Sequence, residues 1–275
     1  MIWSERARCG RRPSAAGLAH TRLRWLQAMQ YADYLAAIQS NVEEMVAALD
    51  GRPGVAIPSC PGWTGLDLLA HLSNVMAQKV PVFGQRLQAA PERGSWAQAL
   101  ATDKDLGPKL VALAAEVVGL LAAMGDGVPL WSWYQRDKSS GFWARRLTHE
   151  AVIHRVDAQL AAGLEPTCPA ELAADGVGEL LEVFLARPGR PLSDGRPPAV
   201  IHLHGTDQDC DWSVTLGGEE VGVQRGHQGV PAALLAGPAA ALYLWGWGRR
   251  GLDGVLVTGD PAQADRLRAI AATAT

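Results

Sequence analysis

The strongest constraint on this chain is a hydrophobic period that changes partway along it. Before Gly163 apolar residues recur at steps of three and four; beyond it they gather in short, strand-length runs. Leu35, Ile38, Val42, Met45 and Leu49 fall on one face of a helix that Gly51 and Pro53 stop. A second helix is expected from Thr64, with Asp67 three residues on as an acidic capping box. Its stripe is Leu68, Leu72, Val75 and Met76, and Pro81 is expected to kink or end it. A third helix follows Gly107-Pro108, with Leu110, Leu113, Ala114, Val117, Val118 and Leu121 inward, and a fourth spans about 141–160. Four such stripes can bury one another as a helical bundle.

After Gly163 a helix is expected over 171–186, then a Pro-rich loop over 187–198. Strand-type runs follow at 200–204, 212–216 and 221–224, with Gly217-Gly218 as a hairpin signal. Leu234-Leu235 ends a fourth strand, Gly237-Pro238 opens a helix through Trp247, and residues 255–258 form another strand. Asp260-Pro261 caps a final helix. The expected architecture is an all-α bundle over 29–165 followed by a small α+β domain over 166–275. Residues 1–28 stand apart. They carry Arg6, Arg8, Arg11, Arg12, Arg22 and Arg24 against one acid, Glu5, without the apolar core and cleavage site of a signal peptide. We expect a loose extension, with Met29 as an alternative start.

Charged residues make up 19% of the chain and the net charge is −3, which argues against a nucleic-acid partner. No run of about 18 apolar residues occurs, so no membrane span is expected. Cys9, Cys60, Cys168 and Cys210 form no C-x-x-C pair. They are expected to be free thiols in a reducing cytoplasm.

Glu150 and His154 are four residues apart, so their side chains stack along one helix face near the stripe of Trp143, Leu147, Ala151 and Ala158. A carboxylate and an imidazole facing a bundle interior need a partner, and a divalent cation would be one. His71, in the stripe of the second helix, offers a third ligand. A satisfied core histidine is the ordinary alternative for each ring. His149 invites a zinc-protease reading, but five residues turn about 500° and leave it roughly 140° from His154. It is excluded as a co-ligand.

These same residues carry a family resemblance. Pro58-Ser59-Cys60-Pro61-Gly62-Trp63-Thr64, followed by Leu69-Ala70-His71-Leu72, resembles one signature of the mycothiol-dependent maleylpyruvate isomerase family. Gly141-Phe142-Trp143-Ala144-Arg145-Arg146, then His149-Glu150 and His154-Arg155-Val156-Asp157-Ala158, resembles its second. Gly237-Pro238-Ala239-Ala240 through Trp245 to Arg249 is similar to its C-terminal domain. The resemblance spans about 31–275. It implies a DinB-like metal-binding bundle with a sterol-carrier-like C-terminal domain. It also implies His71, Glu150 and His154 as ligands of a divalent metal, expected to be zinc, and mycothiol as thiol cofactor or cosubstrate. The functional arginine falls at Arg249, with Arg250 adjacent, and binds a carboxylate of thiol or substrate.

Metal coordination lowers a thiol's pKa, so mycothiol would act as a thiolate on an electrophilic small molecule. The outcome is isomerisation if the thiol leaves again and S-transfer if it stays. Trp143 is a candidate at the cofactor, with Trp131, Trp133 and Tyr134 walling the pocket; packing in the core is the alternative for each and the preferred reading for Trp143. His202 and His204 share one strand face and could hold a second metal. Cys60 reads as a nucleophile or as a structural loop thiol. The competing function is a non-catalytic, metal-containing small-molecule or lipid-binding protein.

Overall fold

The computed structural model describes residues 29–94, 96, 98–99, 105–187 and 194–274. The Arg-rich segment 1–28, with Cys9, and residues 188–193 of the Pro-rich loop lie outside the described residues. The bundle consists of α1 (Tyr31–Leu49), α2 (Gly65–Gly84), α3 (Leu106–Met124) and α4 (Ser140–Ala161). The capping box at α2 is formed: Thr64 Oγ1 accepts from the Asp67 amide, and Asp67 Oδ2 accepts from the Thr64 amide at 2.8 Å. Pro81 sits inside α2, which ends one turn later at Gly84.

By length and composition α3 is apolar enough to cross a membrane. Here it packs on α1 and α2, burying Leu110, Ala114, Val117 and Leu121.

The C-terminal domain holds α5 (Ala170–Glu179), β1 (Ala199–Gly205), β2 (Trp212–Leu216), β3 (Gly222–Arg225), β4 (Ala233–Gly237), α6 (Ala239–Gly246), β5 (Leu256–Gly259) and α7 (Ala262–Ala274). The sheet order is β3-β2-β1-β4-β5, with β1 and β4 parallel and every other pair antiparallel. The single helix expected over 171–186 is α-helical only to Glu179 and continues as a π-helix over Leu180–Leu185. The wider winding changes the helix phase. Leu180, Leu181 and Leu185 stay in the C-terminal core, while Val183 turns into the bundle core.

α4 joins the two domains. Trp143, Leu147 and Ala151 belong to the bundle core, whereas Val152, Ile153 and Val156 belong to the C-terminal core. It is buried on nearly every side although rich in polar residues, because these are paired. Arg155 donates to Asn41, Gln159 and the Thr167 carbonyl. His149 lies in this seam, with Nε2 2.8 Å from Asp175 and Nδ1 3.2 Å from the Tyr243 hydroxyl.

Burial would raise the Asp175 pKa, but the His149 hydrogen bond and the Arg145 charge outweigh it and hold the carboxyl well below its usual range. Stability from this contact is therefore complete above the unfolded value near 3.8 and is lost as pH falls below it. Asp175→Asn should cost about 2 kcal/mol at neutral pH. Urea unfolding should also show a flatter decline of stability in acid for the variant. An unchanged acid profile would place the acid sensitivity elsewhere.

Candidate metal centre

α2 and α4 pack side by side, which brings the imidazole of His71 to the carboxylate of Glu150. His71 Nε2 lies 3.1 Å from Glu150 Oε1, and His154 Nε2 lies 3.3 Å from the same oxygen. The two rings meet edge to face at 4.8 Å between centroids. One donor atom from each residue lies within 4.8 Å of the others. Donors at these spacings are what a single ion with bonds of roughly 2.0–2.2 Å would bridge. The fold thus brings together the three residues named from sequence, while His149 lies apart on Asp175 and Tyr243.

The outer contacts hold the trio in place. Arg146 Nη2 takes Glu150 Oε2 at 2.9 Å, and Arg146 Nη1 takes Glu179 Oε2 at 2.6 Å. Burial would raise the Glu150 pKa, but hydrogen bonds from His154 and His71 and the Arg146 charge bring it well below the usual carboxylate value. His154 Nδ1 is 2.9 Å from Asp157 Oδ2, the arrangement in which a carboxylate fixes the tautomer of a ligating imidazole. Burial disfavours the His154 cation, yet its bonds to Asp157 and Glu150 win and raise it to about 9.

Asp157 is fully buried and also receives Arg249, through Nε at 2.8 Å and Nη2 at 2.9 Å. Ser59 Oγ donates to its Oδ1, and Cys60 Sγ lies 3.8 Å from Oδ2. One carboxylate therefore ties the loop before α2, the α4 histidine and the C-terminal arginine together. Burial and the Asp157 charge push the Cys60 thiol up, against the pull of Arg249, which disfavours a protein thiolate here.

These groups line a cleft of about 560 Å³ between the domains, with Trp63, Phe184, Trp247 and Arg268 on its walls. Arg249 faces this cleft and Arg250 does not, since Arg250 pairs with exposed Glu165. Trp143 is not at the cofactor cleft: it is only 1% exposed and packs in the bundle core, the preferred of its two readings, where its Nε1 donates to the Trp131 carbonyl and Lys79 sits over its ring. The aromatic loop is likewise off this cleft: Trp133 packs on Phe142 and Phe184, and Tyr134 stacks on Phe142.

Asp157, Arg146, Ser59 and Trp63 carry no role of their own in the sequence reading, and Trp247, which that reading packs into the C-terminal helix, also walls the cleft. For Asp157 a signal existed, because it stands three residues after His154 and so shares its face.

Two family models follow this architecture. The Mycothiol maleylpyruvate isomerase N-terminal domain matches residues 35–159, and the MDMPI C-terminal domain matches 171–266. Among solved structures, a crystal structure of a histidine-to-alanine mutant of the mycothiol-dependent maleylpyruvate isomerase superposes with a TM-score of 0.50. It shares 12% identity and covers 84% of this chain and 93% of that chain, a likeness of fold. No curated protein matches the chain.

Proposed function

This chain belongs to the mycothiol-dependent maleylpyruvate isomerase family, and from that footing we propose that it is a metal-dependent enzyme using mycothiol against an electrophilic small molecule. Family membership carries the coarse activity, a mycothiol-dependent isomerase or transferase reaction. The finer reading rests on the convergence of His71, Glu150 and His154 in an open cleft. Two imidazoles and one carboxylate fit a divalent ion, and zinc is the natural choice for that donor set. Bound there, the ion would lower the pKa of a thiol and so supply a thiolate near neutral pH.

The remaining work falls to the chain's own residues. Asp157 orients His154, and Arg146 holds the second oxygen of Glu150. Arg249 has three N–H contacts engaged by Asp157 and the Trp247 carbonyl, which fix its guanidinium at the cleft. Its charge and remaining N–H capacity are available to a carboxylate of thiol or substrate. Trp63, Phe184 and Trp247 supply apolar wall that restricts water around the reacting atoms.

A thiolate adding to a conjugated double bond forms a C–S bond and moves the π pair onto the conjugated carbonyl. Rotation about the new single bond and loss of the same thiolate then give the isomer. If the enolate instead takes up a proton from solvent at carbon and the thioether leaves, the reaction is transfer. A three-donor set beside an open cleft supports catalysis over a non-catalytic binding role, for which a fourth closing ligand is expected. A reduced thiol cofactor belongs in a reducing compartment, so we place the enzyme in the cytoplasm.

The test is turnover of metal-loaded protein with mycothiol and maleylpyruvate or related unsaturated acids. Isomer formed with thiol conserved marks an isomerase, and thiol consumed in step with product marks a transferase. No turnover with any such electrophile would contradict the reading. Arg249→Lys keeps the charge but loses the planar fork. It should lower kcat/KM by roughly 10–100-fold while metal content stays unchanged.

A further inference from the structure

Three more metal-ligating side chains meet at one end of the sheet, away from the bundle. The order β3-β2-β1 sets the end of β1, the start of β2 and the turn after β3 side by side. His204 lies at the end of β1, Asp211 immediately before β2, and His227 two residues past β3. His204 Nδ1 is 2.7 Å from Asp211 Oδ1, and His227 Nε2 is 3.7 Å from that same oxygen. One donor atom from each of the three lies within 4.8 Å of the others.

The cluster is supported from behind. The His227 ring stacks on buried His202, 4.4 Å between centroids and 8° from parallel, and His202 Nε2 is held by the Gln228 carbonyl at 3.0 Å. Ser213 Oγ donates to the Gly226 carbonyl and accepts from the Gln228 amide, which folds the 226–228 turn back over the strands. Among the described residues the Asp211 carboxylate pairs with the two imidazoles and with no Lys or Arg. Two imidazoles and a carboxylate, partly exposed, form a donor set suited to first-row transition ions and zinc rather than to calcium or magnesium.

We propose that His204, Asp211 and His227 form a second divalent transition-metal site, independent of the bundle trio. The pair His202 and His204 expected from strand alternation is thereby replaced. His202 supports the His227 ring, and ligands from the ends flanking β2 and β3 complete the set. An ion there would clip three strands together, so its binding should raise Tm as well as appear in metal counts.

The alternative is a plain hydrogen-bonded cluster, with His204 on Asp211 and His227 donating to the Leu203 carbonyl at 3.0 Å. Untagged protein stripped with a chelator is titrated with zinc and its bound metal counted after equilibrium dialysis. Wild type should take up two equivalents. The double variant His204→Ala/His227→Ala should keep one, and so should His154→Ala. A single wild-type equivalent lost only in the histidine double variant would uphold this site and sink the bundle site. A double variant that binds as much zinc as wild type overturns the proposal. Asp211→Asn, which preserves side-chain shape, gives a second reading. It should weaken the sheet-end equivalent at least tenfold, and unchanged affinity would likewise overturn the proposal.

Discussion

His154→Ala is expected to lower kcat/KM for thiol-dependent turnover by about 10³-fold or more while the protein stays folded. Two losses combine. A free thiol with a pKa near 8.5 is only a few per cent ionised at pH 7, so losing ionisation alone costs roughly 30-fold. Losing the position of the attacking sulfur costs on the order of a further 10²-fold. The fold should survive because Asp157 keeps Arg249 and Ser59 as partners once the imidazole is gone. Steady-state kinetics with an unchanged far-UV circular dichroism spectrum is the check. Retention of more than about a tenth of the activity would remove His154 from the site.

Glu179→Ala should produce the largest loss of stability. Glu179 ends the α-helical part of α5, and its carboxylate is 1% exposed and 2.6 Å from Arg146, which is itself 6% exposed. Removing it leaves a buried guanidinium with Glu150 as its remaining carboxylate and with the Phe184 and Trp247 rings beside it. Breaking a buried pair from one side typically costs about 3–5 kcal/mol. For a chain of this size that is a Tm drop of roughly 6–20 °C. Removing the exposed partner of the Arg250–Glu165 pair should change stability by less than about 1 kcal/mol. A Glu179→Ala scan that moves Tm no further than that surface control would show that the interdomain ion pair contributes little. The same substitution should disturb Glu150, because Arg146 bridges the two carboxylates.

Much of this was legible in the sequence. The stripes of α1 to α3, the Thr64 cap and the strand runs follow from local period and capping chemistry, which tertiary packing did not override. That Glu150 and His154 would meet was legible because i,i+4 spacing puts them on one helix face, whereas His71, on another helix, was tied to them only by its stripe and the family resemblance. What escaped depended on contacts between domains. α4 is buried on both sides, so its polar residues look solvent-facing in the sequence although Arg146, Arg155 and Asp157 are paired inside. The π-helical turn answers two cores at once, a demand that no local pattern states. Trp143 and Trp63 both neighbour ligand motifs in sequence, yet only Trp63 lies on the cleft, with its ring 5.0 Å from that of His71. Helix phase puts Trp143 inward, and its indole is satisfied by a backbone carbonyl.

The most direct test of the central claim is the metal content of untagged protein by elemental mass spectrometry, made in the His204→Ala/His227→Ala background so that only the bundle contributes. The account predicts close to one equivalent of zinc or another divalent ion, lost when His71→Ala is added. No metal after zinc is supplied, or a full equivalent retained in the His71→Ala variant, would contradict it.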